Sequence, residues 1–249
     1  VSGHSKWNNI KHRKGAQDKK RAQLFTKLGR EITVAAKEGG GDPEFNPRLR
    51  LAIDKAKASN MPKDPLERAI KKGTGELDGV DYTELVYEGY GPAGTAFIVN
   101  TLTDNKNRTA SEVRSTFSKK GGNLGTDGAV AWMFKKQGVI SFKKNDIDPD
   151  EFMMFALESG AEDVIENDDE FQVITGFGEF QNVLDKLKES NYKYETAEIE
   201  MNAENTIEIV DLDTAKTVMA LYDALDELDD TQEVFSNFDI SDEILEQLN

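Results

Sequence analysis

The sequence predicts an α+β protein. It reads as an N-terminal three-helix domain with a basic arm, a discontinuous α/β middle domain, and a ferredoxin-like βαββαβ domain inserted into the middle one. Three observations point there. Apolar residues before Gly75 recur at three- and four-residue spacing, whereas those after Glu76 recur mainly at the spacing of strands. The order strand, helix, strand, strand, helix, strand over 138–201 is that of a split βαβ unit, which closes its own four-stranded sheet. A strand-helix-strand at 205–236 is then left without a sheet, and the open sheet at 84–134 is available to it. The predicted boundaries are 1–20 for the arm, 21–78 for the helices, 79–136 plus 205–249 for the middle domain, and 137–204 for the insert.

The elements follow in order. Residues 1–20 hold Trp7 and Ile10 as their only large apolar side chains, too few to anchor a segment, so they read as a mobile arm. From Lys20 a helical period sets in through Leu24, Phe25, Leu28, Ile32 and Ala35, and Gly39-Gly40-Gly41 ends it. Asp42-Pro43, Asn46-Pro47 and Asp64-Pro65 follow; an Asx side chain accepts orphan amides while proline at N1 gives up no needed donor. Asp64 and Glu67 also have capping-box spacing. The helices after Asn46 and Asp64 should bury Leu49, Ile53 and Ala56, then Leu66, Ala69 and Ile70, with Gly73 and Gly75 ending the last.

Strands at 85–90 and 95–102 flank Gly91-Pro92-Ala93-Gly94, which reads as a hairpin. A helix capped by Thr109 and Glu112 turns Val113 and Phe117 inward, and a strand at 129–134 follows Gly121-Gly122. The insert should place strands at 139–142, 161–165, 171–175 and 192–201, with helices starting near Pro149 and Phe177.

Charge is divided along the chain. Residues 1–75 carry 18 Lys/Arg against 8 Asp/Glu, a net of +10, while residues 76–249 carry 13 against 39, a net of −26. Residues 1–37 alone hold ten cations and two acids. Such asymmetry points to a polyanionic partner for one end, with contact confined by repulsion from the rest. The absence of cysteine excludes disulfides and thiolate chemistry. No apolar run approaches the ~20 residues of a membrane span, and residues 1–20 lack the apolar stretch of a secretory signal, so a cytoplasmic protein is expected.

Few motifs survive scrutiny. Gly89-Tyr90-Gly91-Pro92-Ala93-Gly94 matches a dinucleotide fingerprint literally, but the strand-forming residues 95–99 follow where a helix is required. Asp104-Asn105-Lys106-Asn107 has a lysine at a calcium-ligand position. No metal site, cofactor, small-molecule substrate or catalytic residue is expected; His4 and His12 lie in the arm, which offers no rigid pocket for a general base. The candidate binding residues are His4, Lys6, Trp7, Lys11, His12, Arg13, Lys14, Lys19, Lys20 and Arg21. Cations there neutralise phosphates, and aromatic or imidazole faces stack on unpaired bases. Arg108, Arg114, Lys119 and Lys120 form a secondary basic patch.

The stretches GHSKWNNIKHRK at 3–14, EGGGDPEFNPRLRLAIDKAKASNMPKD at 38–64 and ERAIKKGTGE at 67–76 resemble the YebC/PmpR family. So do YEGYGPAG at 87–94, TDNKNRTASEVRSTFSKKGGNLG at 103–125 and GAVAWMF at 128–134. The resemblance runs from Ser2 to about Gly138, with looser similarity in the acidic remainder; the opening Val1-Ser2 is one minor departure. It implies three domains and a DNA-binding transcriptional regulator, with a related mitochondrial branch acting in translation and bacterial members connected with ribosomes stalled at proline-rich sequences. It supplies no catalytic residues. Two readings share one surface: duplex DNA, or ribosomal or transfer RNA with the ribosome as a further partner. Against the first, no helix-turn-helix is recognisable, and an arm alone contacts phosphates without reading bases. A phosphoester hydrolase is a weak third reading, since no pair of carboxylates stands out.

Overall fold

A computed structural model describes residues 18–248 of the chain. The elements begin with α1 (Asp18–Gly39), α2 (Pro47–Ala58) and α3 (Lys63–Thr74). Next come β1 (Thr83–Tyr90), β2 (Ala96–Thr103), α4 (Lys106–Lys119) and the two-residue β3 (Asn123–Leu124). Then follow β4 (Phe134–Lys143), α5 (Pro149–Glu158), β5 (Asp163–Glu166), β6 (Glu170–Gly176), α6 (Phe180–Glu189) and β7 (Thr196–Ala203). The chain closes with β8 (Ile207–Ile209), α7 (Leu212–Asp226), β9 (Thr231–Ser236), β10 (Phe238–Ile240) and α8 (Asp242–Gln247). The fold class is α+β. One compact unit takes the residues up to Met133 together with those from Ala203 on, and a second takes Phe134–Asn202.

In the first unit, α1, α2 and α3 bury Leu28, Ile32, Ala35, Leu49, Ile53, Ala56 and Leu66 against one another. Asn46 caps α2: its Oδ1 accepts the Leu49 N–H at 3.1 Å, and its Nδ2 donates to the carbonyls of Ala35 and Gly40 at 2.8 Å. One buried amide therefore starts α2 and satisfies carbonyls at the end of α1. Asp64 behaves otherwise. The helix starts at Lys63 behind Pro62, with no side-chain cap, so Asp64 stands in the first turn, where its charge complements the helix dipole. Gly73 is not a terminator either. It lies inside α3, and a Cβ there would meet Ala36 Cβ at 2.7 Å, so its bareness lets α1 and α3 cross closely. Gly75, with φ of 85°, ends the helix in the left-handed conformation.

The middle sheet has the order β3-β1-β2-β9. β1 and β2 pair from Thr83↔Thr103 to Tyr90↔Ala96, and β9 adds from the far end of the chain beside β2. Alternation sends Tyr87, Phe97, Val99 and Val234 to one face, where Val113 and Phe117 of α4 and Val218, Leu221 and Tyr222 of α7 cover them. Phe97 and Phe117 meet edge to face at 6.2 Å. β8 and β10 pair in parallel and close the core with Ile209, Phe238 and Ile240.

Two expectations are corrected here. Residues 129–133 form no strand: a 3-10 turn at Ala131–Met133 leads into β4, which starts at Phe134. The cause is Glu88, whose buried carboxylate accepts the N–H groups of Gly128, Val130 and Ala131 at 2.6, 3.0 and 2.6 Å, removing those donors from any ladder. Thr109 is not a cap. Asn105 fills that place, accepting the Arg108 N–H at 3.0 Å, and the Thr109 hydroxyl is buried.

The second unit is a four-stranded sheet of order β5-β6-β4-β7. β4 and β6 pair antiparallel from Gln137↔Gly176 to Lys143↔Glu170. Phe152 of α5 packs on the rings of Phe142, Phe171 and Tyr192 at 4.9, 5.0 and 5.0 Å. Asp148 caps α5 by accepting the Glu151 N–H at 3.0 Å.

Candidate nucleic-acid interface

His4, Lys6, Trp7, Lys11, His12, Arg13 and Lys14 lie outside the described residues. Lys19, Lys20 and Arg21 stand on the first turn of α1, which begins at Asp18. Lys20 and Arg21 are exposed, and the Arg21 guanidinium lies 5.6 Å from the centre of the Phe25 ring.

The helix that carries these cations is fastened to an acidic segment. Gln23 Nε2 donates to the Glu227 carbonyl at 2.7 Å, and Lys27 Nζ to the Asp226 carbonyl at 2.7 Å. Gln232 Nε2 returns a bond to the Lys27 carbonyl at 2.9 Å. Arg30 Nη1 donates to the Leu102 carbonyl and to Asp230 Oδ1, both at 2.8 Å.

Asp230 is the hub of this end. Its side chain is 2% exposed. Besides Arg30 it receives Arg108 Nη2 at 2.8 Å, Arg108 Nε at 3.2 Å and the Thr109 hydroxyl at 2.7 Å. Burial pushes its carboxyl pKa up, but the hydrogen bonds from Arg108, Arg30 and Thr109 and the charge of Arg108 outweigh that, leaving it below the ordinary carboxylate value. Arg108 also bonds Asp104 at 2.7 Å. The guanidinium counted in the secondary basic patch is therefore held by two carboxylates.

The other three cations of that patch are not gathered on one face. At about 100° per residue, Arg114 points roughly 240° round α4 from Arg108. Lys119 and Lys120 sit at the opposite end of the helix from Arg108. They line an open groove whose other wall is Lys216 and Thr217 of α7, with Gly121 and Ala220 between. Sequence reading missed Lys216. It is the sole cation of residues 203–249, among fourteen acids, and only the packing of α7 beside α4 gives that isolation a meaning. Trp132, 71% exposed, was also passed over as a site residue. Its Nε1 donates to the Ala129 carbonyl at 3.1 Å, and the Tyr90 hydroxyl donates to the same oxygen at 3.2 Å.

Among the described residues, no group of three or more His, Cys, Asp or Glu is placed to hold a metal ion. No helix among them is long and apolar enough to cross a membrane.

Helices followed by two antiparallel sheets, with an acidic hub fastening the first helix to the sheet, define the class: a multidomain α+β protein without a metal cluster among its described residues. Residues 5–76 match the TACO1/YebC protein N-terminal domain, and residues 82–238 match the TACO1/YebC second and third domain. The chain belongs to the TACO1/YebC family. It is 74% identical over 249 residues to a protein of Fusobacterium nucleatum named a probable transcriptional regulatory protein, covering 100% of both chains. A protein of the same name from Halothermothrix orenii is 54% identical over 250 residues, with 100% of this chain and 99% of that one covered. The crystal structure of a conserved hypothetical protein of Aquifex aeolicus superposes with a TM-score of 0.84 at 46% identity, covering 93% of this chain and 96% of that one.

Proposed function

We propose that this chain is a non-enzymatic regulator of gene expression that binds nucleic acid through the basic residues of its N-terminal segment. The observation that carries the reading is the charge division: ten cations against two acids in residues 1–37, on a chain whose net charge is −16. The relatives' names favour transcription; in this reading the target is duplex DNA and the place of action the cytoplasm. Phosphate contacts from residues 1–21 supply affinity, and the acidic remainder limits how much of the polyanion is covered. No small molecule, cofactor or membrane takes part in this reading.

A second reading, binding to ribosomal or transfer RNA in translation, is favoured by one feature. Trp7 stands among the cations, and an aromatic face stacks on unpaired bases that a duplex does not offer. Sequencing nucleic acid crosslinked to the chain in cells separates the two: promoter DNA supports the first, ribosomal or transfer RNA the second, and neither overturns both. In vitro, ~6–8 phosphate contacts give a log–log salt slope on duplex DNA of roughly −5 to −7, which deletion of residues 1–17 should flatten.

A further inference from the structure

We propose that the groove between the end of α4 and α7 is a second phosphate-binding site, and that its occupant is the backbone of the nucleic acid engaged by the N-terminal segment. This rests on the nucleic-acid reading above and adds a place and a residue set to it. Three lysines from two elements converge there: Lys119 and Lys120 at the end of α4, and Lys216 on α7. None of the three forms an ion pair among the described residues, although residues 203–249, which carry Lys216, hold fourteen acids. Beside a segment so acidic, cations left unpaired on one groove are a local exception to the surrounding field, and a phosphodiester is the ligand that field would otherwise repel. Gly121 and Ala220 present no bulk between the lysines, and Thr217 places a hydroxyl beside them.

The groove also lies on the helix that the start of α1, with the exposed Lys20 and Arg21, is fastened to. Gln23, near the start of α1, bonds the Glu227 carbonyl just past the end of α7. Lys216 stands eleven residues earlier, about 16 Å along the helix axis. At 3.4 Å per base step that distance is roughly five steps of a strand. Lysines neutralise phosphates without reading bases, so the groove lengthens the footprint and leaves sequence preference unchanged. Asp213 is the acid that opposes this. It stands one turn before Lys216 and Thr217 on the same stripe of α7, and the Thr217 hydroxyl donates to its carbonyl at 2.9 Å.

The test uses the full chain with two probes of about 20 nucleotides, a fluorescent single-stranded RNA and a duplex DNA of matched sequence, titrated over a range of salt. Replacing Lys119, Lys120 and Lys216 together by Gln should make the slope shallower by about 2 to 3 on the probe the chain prefers, since each phosphate contact contributes ~0.7–0.9. Asp213→Asn should tighten binding about 2- to 5-fold through removal of one nearby negative charge. Replacing Lys135, Lys143 and Lys193 by Gln alters net charge equally and should leave the slope nearly unchanged. A slope preserved in the groove triple overturns the groove while leaving the nucleic-acid reading intact. Equal losses in both triples also overturn it, because bulk charge then explains the effect. Absence of salt-dependent binding by the unsubstituted chain overturns the nucleic-acid reading, and the groove with it.

Discussion

The two ends of α4 carry the same kind of residue in opposite circumstances. At the first turn, Arg108 is gripped by Asp230 and Asp104, and through Asp230 it shares a carboxylate with Arg30 of α1. At the last turn, Lys119 and the adjoining Lys120 face a groove, with no carboxylate among the described residues bound to them. A sequence count treats all of these as one basic patch. The fold separates them into a cation that fastens two elements together and cations that are free to meet a ligand. The lesson is that charge becomes a binding signal only after internal partners have been subtracted.

Removing Asp230 should break the comparison most severely. Asp230→Ala leaves Arg30, Arg108 and the Thr109 hydroxyl facing a buried gap, and a loss of about 3 kcal/mol is expected in denaturant unfolding, at the lower end for a broken ion pair because Arg108 is partly exposed. A change within 0.5 kcal/mol would show that the hub contributes no net stability. The same group sets a pH dependence. Its folded pKa lies below the unfolded value of about 3.9, so its contribution is complete above that value and fades as pH falls through the folded one. The unsubstituted chain should therefore lose stability more steeply below about pH 4 than Asp230→Asn does.

Glu88 offers the next test, because among the described residues it pairs with no cation and binds backbone N–H groups instead. Burial raises its carboxyl pKa, but three backbone N–H groups lower it below the ordinary value. Glu88→Gln keeps the shape but removes the charge and turns one acceptor oxygen into an NH2 donor, so at least one of the three N–H groups loses its acceptor, for an expected loss of about 2 kcal/mol. Amide exchange should quicken first at Gly128, Val130 and Ala131; uniform exchange across the sheet would argue against a locally held loop.

The smallest effects sharpen the contrast directly. Arg108→Ala should lower the melting temperature through loss of its bonds to Asp230 and Asp104, and leave the salt slope of binding nearly unaltered. Lys119→Ala should do the reverse, with stability within about 0.5 kcal/mol and the slope shallower by about 0.7–0.9. Thermal melts and salt titrations on the two variants decide the matter, and matching behaviour would erase the distinction between the two ends.

What was legible in the sequence was what is decided locally. Asn46-Pro47 announces a capped helix because the cap acceptor, the missing donor and the amide it binds lie within four residues. The α+β class was legible because the change of apolar period at Glu76 needs no distant partner. Failures share the opposite property. Residues 129–134 look like a strand by composition, yet Glu88, some forty positions upstream, takes their amides. Thr109 and Arg108 look like a cap and a surface cation, yet Asp230 lies more than a hundred positions downstream. Gly73 resembles a stop signal until Ala36 is placed against it. Lys216 had no local signature at all.

The place of β9 has a consequence for synthesis. The strand that covers the outer edge of β2, and the Asp230 that receives Arg30, are both made after the whole second unit has been translated. At ~5–20 residues per second a ribosome takes about 6–25 s to travel from the end of β2 to the start of β9. For that interval β2 has an unpaired edge and the two arginines lack their shared carboxylate. A nascent chain halted before Asp229 should therefore hold a closed three-helix domain beside an open, protease-sensitive sheet, and synthesis of residues 229–249 should close it in one step.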